Sequence, residues 1–291
     1  MKGRTMLNDE IPHATTPIRV PAVHGESRNL RFQARCGLLR SDPMQRTAAQ
    51  PSPSPSYRIR LAESAEDLRA AQRLRFEVFN VELNEGLAES WRTQLDADRF
   101  DECCDHLVVE HPATGATVGT YRLQTGAMAA ERHGYYSAQE FEFAPFEHVR
   151  DEVVELGRAC VHRDHRKMNV LNMLWRGIAG YARERGARYL VGCSSLTSQD
   201  PALGHAMYMK LAESHITPAP FRTIPLPEYA MPAADPLAEC PEPPRLLRAY
   251  LSVGAKICGP PGLDRAFKTI DFLTLLDLND LPAAVQGRFI A

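Results

Sequence analysis

The residues best suited to chemistry lie on one apolar stretch, Val153-Val154-Glu155-Leu156-Gly157-Arg158-Ala159-Cys160-Val161, which carries one acid and one base inside what reads as a buried strand. Ionised groups are rarely buried without partners, so Glu155 and Arg158 call for an explanation. Other charges interrupt folded segments elsewhere: Arg75 beside Phe76, Asp96, Asp98 and Asp101 in an acidic stretch, and Arg122 at the end of a second apolar run. Taken singly, Arg75 reads as a solvated helix arginine and the three aspartates as loop caps; Arg122 and Glu155 have weaker ordinary explanations. Together they could form a buried network of alternating sign. In such a network a carboxylate can take a proton from a nucleophile, and a guanidinium can grip a planar anion.

Strand periodicity sets a condition on this reading. Side chains alternate between faces, so Glu155 and Arg158 point to opposite sides of a regular strand. They share a pocket only if a bulge intervenes, and Gly157 is a natural place for one.

The elements that must position these residues can be followed along the chain. Tyr57-Arg58-Ile59-Arg60-Leu61 alternates as a strand should, and Ser64 with Asp67 three residues on gives a helix start followed by Leu68, Ala71, Leu74 and Val78 at helical spacing, closing over residues 75–79. The acidic stretch 80–102 reads as a long functional loop. Residues 105–110 and 117–123 form a hairpin pattern. The aromatic-rich segment 126–150 covers or lines something apolar. After the strand at 153–161, Val170, Leu171, Leu174, Trp175 and Ile178 make the apolar stripe of a helix ending near Arg185-Gly186. A buried strand over 188–193 and a helix over 201–213 follow. Prolines crowd 217–244 as a surface excursion, and apolar runs return at 246–257 and 269–276 around the Gly259-Pro260-Pro261-Gly262 turn. This order predicts one α/β domain with a mixed sheet over residues 57–291.

Residues 1–56 differ in character, with eight Lys and Arg against four Asp and Glu and a Pro/Ser-alternating end. They are expected to be a poorly ordered basic arm and stiff linker, suited to peripheral contact with anionic membrane at its inner face. The net charge of -2 argues against bulk nucleic-acid binding. Seven cysteines with no CxxC pair indicate neither a zinc site nor a disulfide framework, and Cys160 and Cys193 read as small core residues. No apolar run reaches the ~18 residues of a bilayer span, so a cytoplasmic protein is expected.

Four motifs in order, Arg75-Phe76-x-Val78-Phe79, the acidic loop ending in Asp101, Gly119-x-Tyr121-Arg122-Leu123 and Glu155-Leu156-Gly157-Arg158-Ala159-Cys160-Val161, resemble those of the acyl-homoserine-lactone synthases and of the ornithine N-acyltransferases of ornithine-lipid synthesis. Val191-Gly192-Cys193-Ser194-Ser195, the stretch from Leu246 to Asp264, and Asp271-Phe272-Leu273 are similar to the ornithine (haemolysin-like) group in particular. The resemblance covers about residues 57–280. It implies a GNAT-like fold, a mixed and mostly antiparallel twisted sheet flanked by helices.

The resemblance further implies transfer of a 3-hydroxylated fatty acyl group from acyl carrier protein to the α-amine of ornithine, giving lyso-ornithine lipid. Another amino-acid acceptor such as glycine, or a signal-synthase activity, is the alternative. Glu155 and Arg158 are then the expected catalytic residues, with Glu155 as base. Arg75, Asp96, Asp101 and Arg122 are the expected substrate-binding set: Arg122 and Arg158 on the acceptor carboxylate, Asp96 or Asp101 on a second ammonium. Acyl-chain room is expected beneath segment 135–146 and the helix bearing Leu171, Leu174 and Trp175.

One departure bears on the donor. Acetyl-CoA-dependent relatives usually carry an Arg/Gln-x-x-Gly-x-Gly/Ala loop, where this chain has Arg163-Asp164-His165-Arg166-Lys167-Met168. Glycines let backbone N–H groups approach a pyrophosphate, and without them a carrier-protein thioester is the expected donor. Arg163, Arg166 and Lys167 would steer its acidic surface. No resident cofactor or metal is then required, because the 4'-phosphopantetheine arrives on the carrier protein.

Overall fold

The computed structural model describes residues 56–283 and 285–286. The expected basic arm and linker, residue 56 apart, lie outside the described residues.

Eight strands form one sheet in the order β1 (Arg58–Leu61), β2 (Asp105–Glu110), β3 (Thr117–Thr125), β4 (Val153–Val161), β5 (Tyr189–Leu196), β8 (Thr269–Asp277) and β6 (Lys256–Ile257), with β7 (Gly262–Asp264) also on β8. Every pairing is antiparallel except that of β4 with β5. The mixed, mostly antiparallel sheet matches the expected fold.

The first helix, α1 (Ala65–Phe76), begins where its cap dictates. Ser64 Oγ accepts the Asp67 N–H at 3.1 Å and Asp67 accepts the Ser64 N–H at 3.2 Å, so two otherwise orphaned donors are satisfied reciprocally. The helix does not close at Phe79. It widens into a π-helical turn over Glu77–Glu82, a device common at functional sites, and this turn carries Val78 and Phe79 to the cavity described below. The acidic stretch is a loop containing a short α-helix, α2 (Ser90–Thr93), and entering a 3-10 turn at Asp101–Cys103, and is tied to α1 by the Asp96 N–H donating to Gln72 O at 3.1 Å.

One face of the sheet is covered by α4 (Met168–Glu184), whose Val170, Leu174 and Ile178 pack with Leu107, Tyr121, Leu123 and Leu156. Burying each such aliphatic side chain contributes roughly 1.5–3 kcal/mol. The later apolar run is helical before it is extended: α6 (Arg245–Ser252) sets Tyr250 against Tyr121, with 2.6 Å between hydroxyls. The short helix α3 (Gly126–Glu131) opens the aromatic segment, and α5 (Pro201–Ala212) follows β5. Phe141, Phe143 and Phe146 form a buried cluster with Val153, Tyr189 and Val191.

Two features of β4 shape the site. It pairs with β5 only over Val153–Glu155 against Tyr189–Val191, so the two strands part beyond that point. At the parting, a Cβ on Gly192 would stand 2.2 Å from Leu156 O, an approach only glycine allows. On its other edge, β4 bulges. Gly157 faces Arg122 and Cys160 faces Thr120, so that two residues, Arg158 and Ala159, stand against one, Tyr121. Arg158, within the bulge, takes a left-handed φ of 50°.

Candidate active site

The bulge resolves the parity condition. Cross-strand partners share a face, so Glu155, Gly157 and Cys160 lie on the face of Gln124, Arg122 and Thr120. With an extra residue between Gly157 and Cys160, the Arg158 side chain turns to that same face. Its guanidinium reaches Asp98 Oδ2 at 3.0 Å and Asp96 Oδ1 at 3.2 Å. The rings of Tyr136 and Phe267 lie 4.9 and 4.5 Å from it, close enough for cation–π attraction.

The charged residues close into a ring of six. Arg75 on α1 meets Asp96 at 2.9 Å and Asp101 at 2.6 Å; Arg122 on β3 meets Asp101 at 3.1 Å and Asp98 at 2.6 Å; Arg158 on β4 completes the circuit through Asp98 and Asp96. Arg75 and Asp96 are each 1% exposed. Gln72 adds a hydrogen bond to Asp101 at 2.9 Å, and Arg75 donates to the Asp96 carbonyl. Burial alone would raise the Asp101 carboxyl, but Arg75 and Arg122 outweigh it and hold it well below the usual carboxylate range. Asp98 is lowered in the same manner, Arg122 and Arg158 prevailing over burial.

Glu155 stands beside this ring. Its two oxygens accept the backbone N–H groups of Tyr136 and Ser137, each at 2.7 Å, and the Ser137 hydroxyl adds a further hydrogen bond to the carboxylate. Burial pushes its carboxyl up, against those hydrogen bonds and the charge of Arg122. A raised carboxyl pKa suits proton abstraction near neutral pH.

A cavity of about 520 Å³ opens where β4 and β5 part, a volume in the range of small-molecule sites. Glu155, Arg122, Gly157 and Arg158 line it, and Leu171, Leu174, Leu246 and Leu247 supply apolar wall. Arg122 Nη2 is buried without a hydrogen-bond acceptor, its guanidinium lying 5.5 and 5.2 Å from the Phe100 and Tyr136 rings, so a donor of this cavity-lining residue is uncommitted to any acceptor. Glu85, Glu140, Asp264 and Asp271 also line the cavity. Burial pushes the Glu85 and Glu140 carboxyls up, with Asp271 adding repulsion to both. Burial pushes Asp271 up to about 6, with Asp264 nearby adding to it.

A sequence model described as an acetyltransferase (GNAT) domain matches residues 74–176. L-ornithine N(alpha)-acyltransferase of Rhodobacter capsulatus is 34% identical over 233 residues, covering 76% of this chain and 90% of that protein. Its namesake in Rhizobium meliloti is 32% identical over 250 residues, covering 79% and 82%. This chain belongs to the L-ornithine N(alpha)-acyltransferase family. Among solved structures, the AHL synthase LasI is 12% identical with a TM-score of 0.46, covering 81% of this chain and 95% of that one.

Within this acyltransferase, the expected residues divide by position. Glu155, Arg158 and Arg122 come together on one cavity wall. Arg75, Asp96 and Asp101, expected to touch substrate, do not line the cavity; their charges are matched within the ring and buried behind it. Neither Asp96 nor Asp101 is therefore free to receive a second ammonium.

The basic loop also divides. Arg166 is held by Glu82, with Nη2 donating at 2.7 Å, while Arg163 and Lys167 are exposed. Of the residues expected to bound acyl-chain room, Tyr136, Leu171 and Leu174 line the cavity and Trp175 does not, while Phe141, Phe143 and Phe146 are core. Sequence reasoning missed Glu85, Glu140, Asp264 and Asp271. Asp271 gave a readable signal, an acid in the apolar run of β8, which is the same oddity that drew attention to Glu155.

Proposed function

We propose that the protein transfers a fatty acyl group from an acyl carrier protein thioester to the α-amine of L-ornithine, giving lyso-ornithine lipid. What carries this reading is a base and an uncommitted guanidinium donor on one wall of an apolar cavity, in a chain whose relatives bear the name L-ornithine N(alpha)-acyltransferase. The 3-hydroxylation of the acyl group rests on the family resemblance alone.

In this reading Arg122, through Nη2, with Arg158 beside it, orients the acceptor carboxylate. Glu155 takes a proton from the α-ammonium, directly or through one water. The freed amine attacks the thioester carbonyl carbon, the carbon–sulfur bond breaks, and the proton shed as the amide forms ends on the departing thiolate. The backbone edge of β4 beyond Glu155, without a β5 partner, offers N–H groups to the oxyanion. Arg75, Asp96 and Asp101 act as positioning residues that hold Arg122 and Arg158. No thiol nucleophile is needed, and burial pushes Cys193 on the cavity wall well up, keeping it protonated.

The absence of a glycine loop before α4 favours the carrier-protein donor, its phosphate meeting Lys167, Arg163 and the N-terminus of α4. The basic segment 1–56 suits contact with anionic lipid. Among the described residues no helix is long and apolar enough to cross a membrane. Expression in a host lacking ornithine lipids, with mass spectrometry of the lipid extract, tests the reading. Lyso-ornithine lipid is the expected product. A purified protein that consumes no acyl carrier protein thioester with any amino acid would overturn it.

A further inference from the structure

Three carboxylates on the cavity wall have no part in the steps above. Glu140, Asp264 and Asp271 present oxygens within 4.8 Å of one another and are 1%, 4% and 4% exposed. Among the described residues none of them makes an ion pair, in contrast to the aspartates of the ring. Three neighbouring acids without a cation are costly to keep buried, and the site accordingly resists ionising all of them when empty.

Each carboxylate is nonetheless held in place. Asp264 Oδ1 accepts the Ala266 and Phe267 N–H groups at 2.8 Å each, Thr269 Oγ1 donates to Asp271 Oδ2 at 3.1 Å, and Cys193 Sγ lies 3.6 Å from Glu140 Oε2. A sign of a missing ligand is Asp271 Oδ1, which is buried on a cavity-lining residue and takes no close hydrogen bond, the Ser195 and Glu140 side chains standing near that carboxyl.

The position of the trio relative to the base follows from sheet register. Glu155 pairs with Val191, Val191 with Leu275, and Ser195 with Asp271, so Asp271 lies on the sheet face of Glu155, across the parting of β4 and β5. A short relay of contacts joins the two. Ser137 N–H donates to Glu155 at 2.7 Å, Ser137 Oγ lies 3.5 Å from Cys193 Sγ, and Cys193 meets Glu140.

We propose that Glu140, Asp264 and Asp271 form the subsite for a primary alkylammonium, the side-chain amine of the acceptor amino acid. The proposal rests on the acyl-transfer reading for the acceptor's identity and adds the residues that select its side chain. A primary ammonium donates three hydrogen bonds and meets three carboxylates that each keep one oxygen outside the bonds just described. With carboxylate held at Arg122 and Arg158 and side-chain amine at the trio, the α-amine is left at Glu155.

The test compares L-ornithine with L-norvaline, which has the same carbon chain and no side-chain amine. With the full chain and a fixed acyl carrier protein thioester, kcat/KM should favour ornithine by ~10³-fold or more, since a site built around a polar group rejects the analogue lacking it. Asp271→Asn and, separately, Glu140→Gln should each cut that ratio on the order of 10²-fold, with folding checked by thermal unfolding. Acceptors turned over within tenfold of each other by the unaltered protein, or a ratio unmoved in both folded variants, would overturn the subsite and leave acyl transfer standing.

If no acceptor is acylated, the acyl-transfer reading fails, and calorimetric binding of ornithine against norvaline alone still decides the subsite: preference for ornithine upholds it, equal or no binding overturns it. Tight binding of Mg²⁺ or Ca²⁺ that is lost in Asp271→Asn, with activity abolished by a chelator and restored by that ion, would make the trio a metal site instead.

Discussion

Replacing Arg75 by methionine removes one of three positive members from the six-membered ring and leaves a side chain of similar reach. Arg75 is 1% exposed and touches both Asp96 and Asp101, so the change strands two buried carboxylates with one guanidinium each. Removing one partner of a buried pair typically costs about 3–5 kcal/mol. For a domain of this size, where 1 kcal/mol moves Tm by about 2–4 °C, the expected fall is roughly 6–20 °C by calorimetry at pH 7. The pH dependence supplies a sharper test. In the unaltered protein the Asp101 carboxyl lies below its ordinary value, so its stabilisation is present above the unfolded pKa and lost as pH falls through the folded one. In Arg75→Met the burial contribution is no longer outweighed by two arginines and the Asp101 pKa rises. The penalty is then full at neutral pH and relieved on acidification, so the two Tm curves should converge toward acid. The double variant Arg75→Met, Asp101→Asn should recover stability relative to Arg75→Met. A single-variant loss under about 1 kcal/mol, or a gap that widens toward acid, would refute the ring as a structural unit.

Two further outcomes follow from the site. Glu155→Gln should lower turnover by ~10²–10⁴-fold, and the acid limb of the pH–rate profile, displaced above the ordinary glutamate value by burial, should vanish with it; steady-state kinetics across pH decides both. The pair Arg163→Glu, Lys167→Glu should raise KM for the acyl carrier protein thioester more than it lowers kcat, on the order of tenfold at low salt and less above ~0.15 M, read from donor titrations at several ionic strengths.

Sequence periodicity revealed the elements whose signals are local. The Ser64–Asp67 cap, the hairpin strands and the stripe of α4 each depend on residues within a few positions of one another. The bulge was legible as a necessity rather than as a pattern, because Glu155 and Arg158 share a pocket only if one exists, and Gly157 marked it. What stayed hidden depends on long-range closure. Nothing within residues 94–102 reveals that Asp96, Asp98 and Asp101 each meet two arginines, since Arg75, Arg122 and Arg158 reach them from three other segments. The same holds for Arg166, whose partner Glu82 lies 84 positions away. Glu140 sits among aromatics that are core, and Asp264 ends a short strand just before a turn, where an acid is ordinary; only the fold brings them to Asp271.

The six-membered ring also bears on how the protein assembles. Its members come from α1, the loop before β2, β3 and β4, and its charges sum to zero only when all four segments are in place. A partly docked arrangement leaves an odd charge in a dry interior, which is strongly disfavoured. The ring therefore acts as a registration lock: a β4 without its bulge, or a loop displaced by one residue, cannot close it. Correct placement of the catalytic strand and stability of the domain are thereby made the same event.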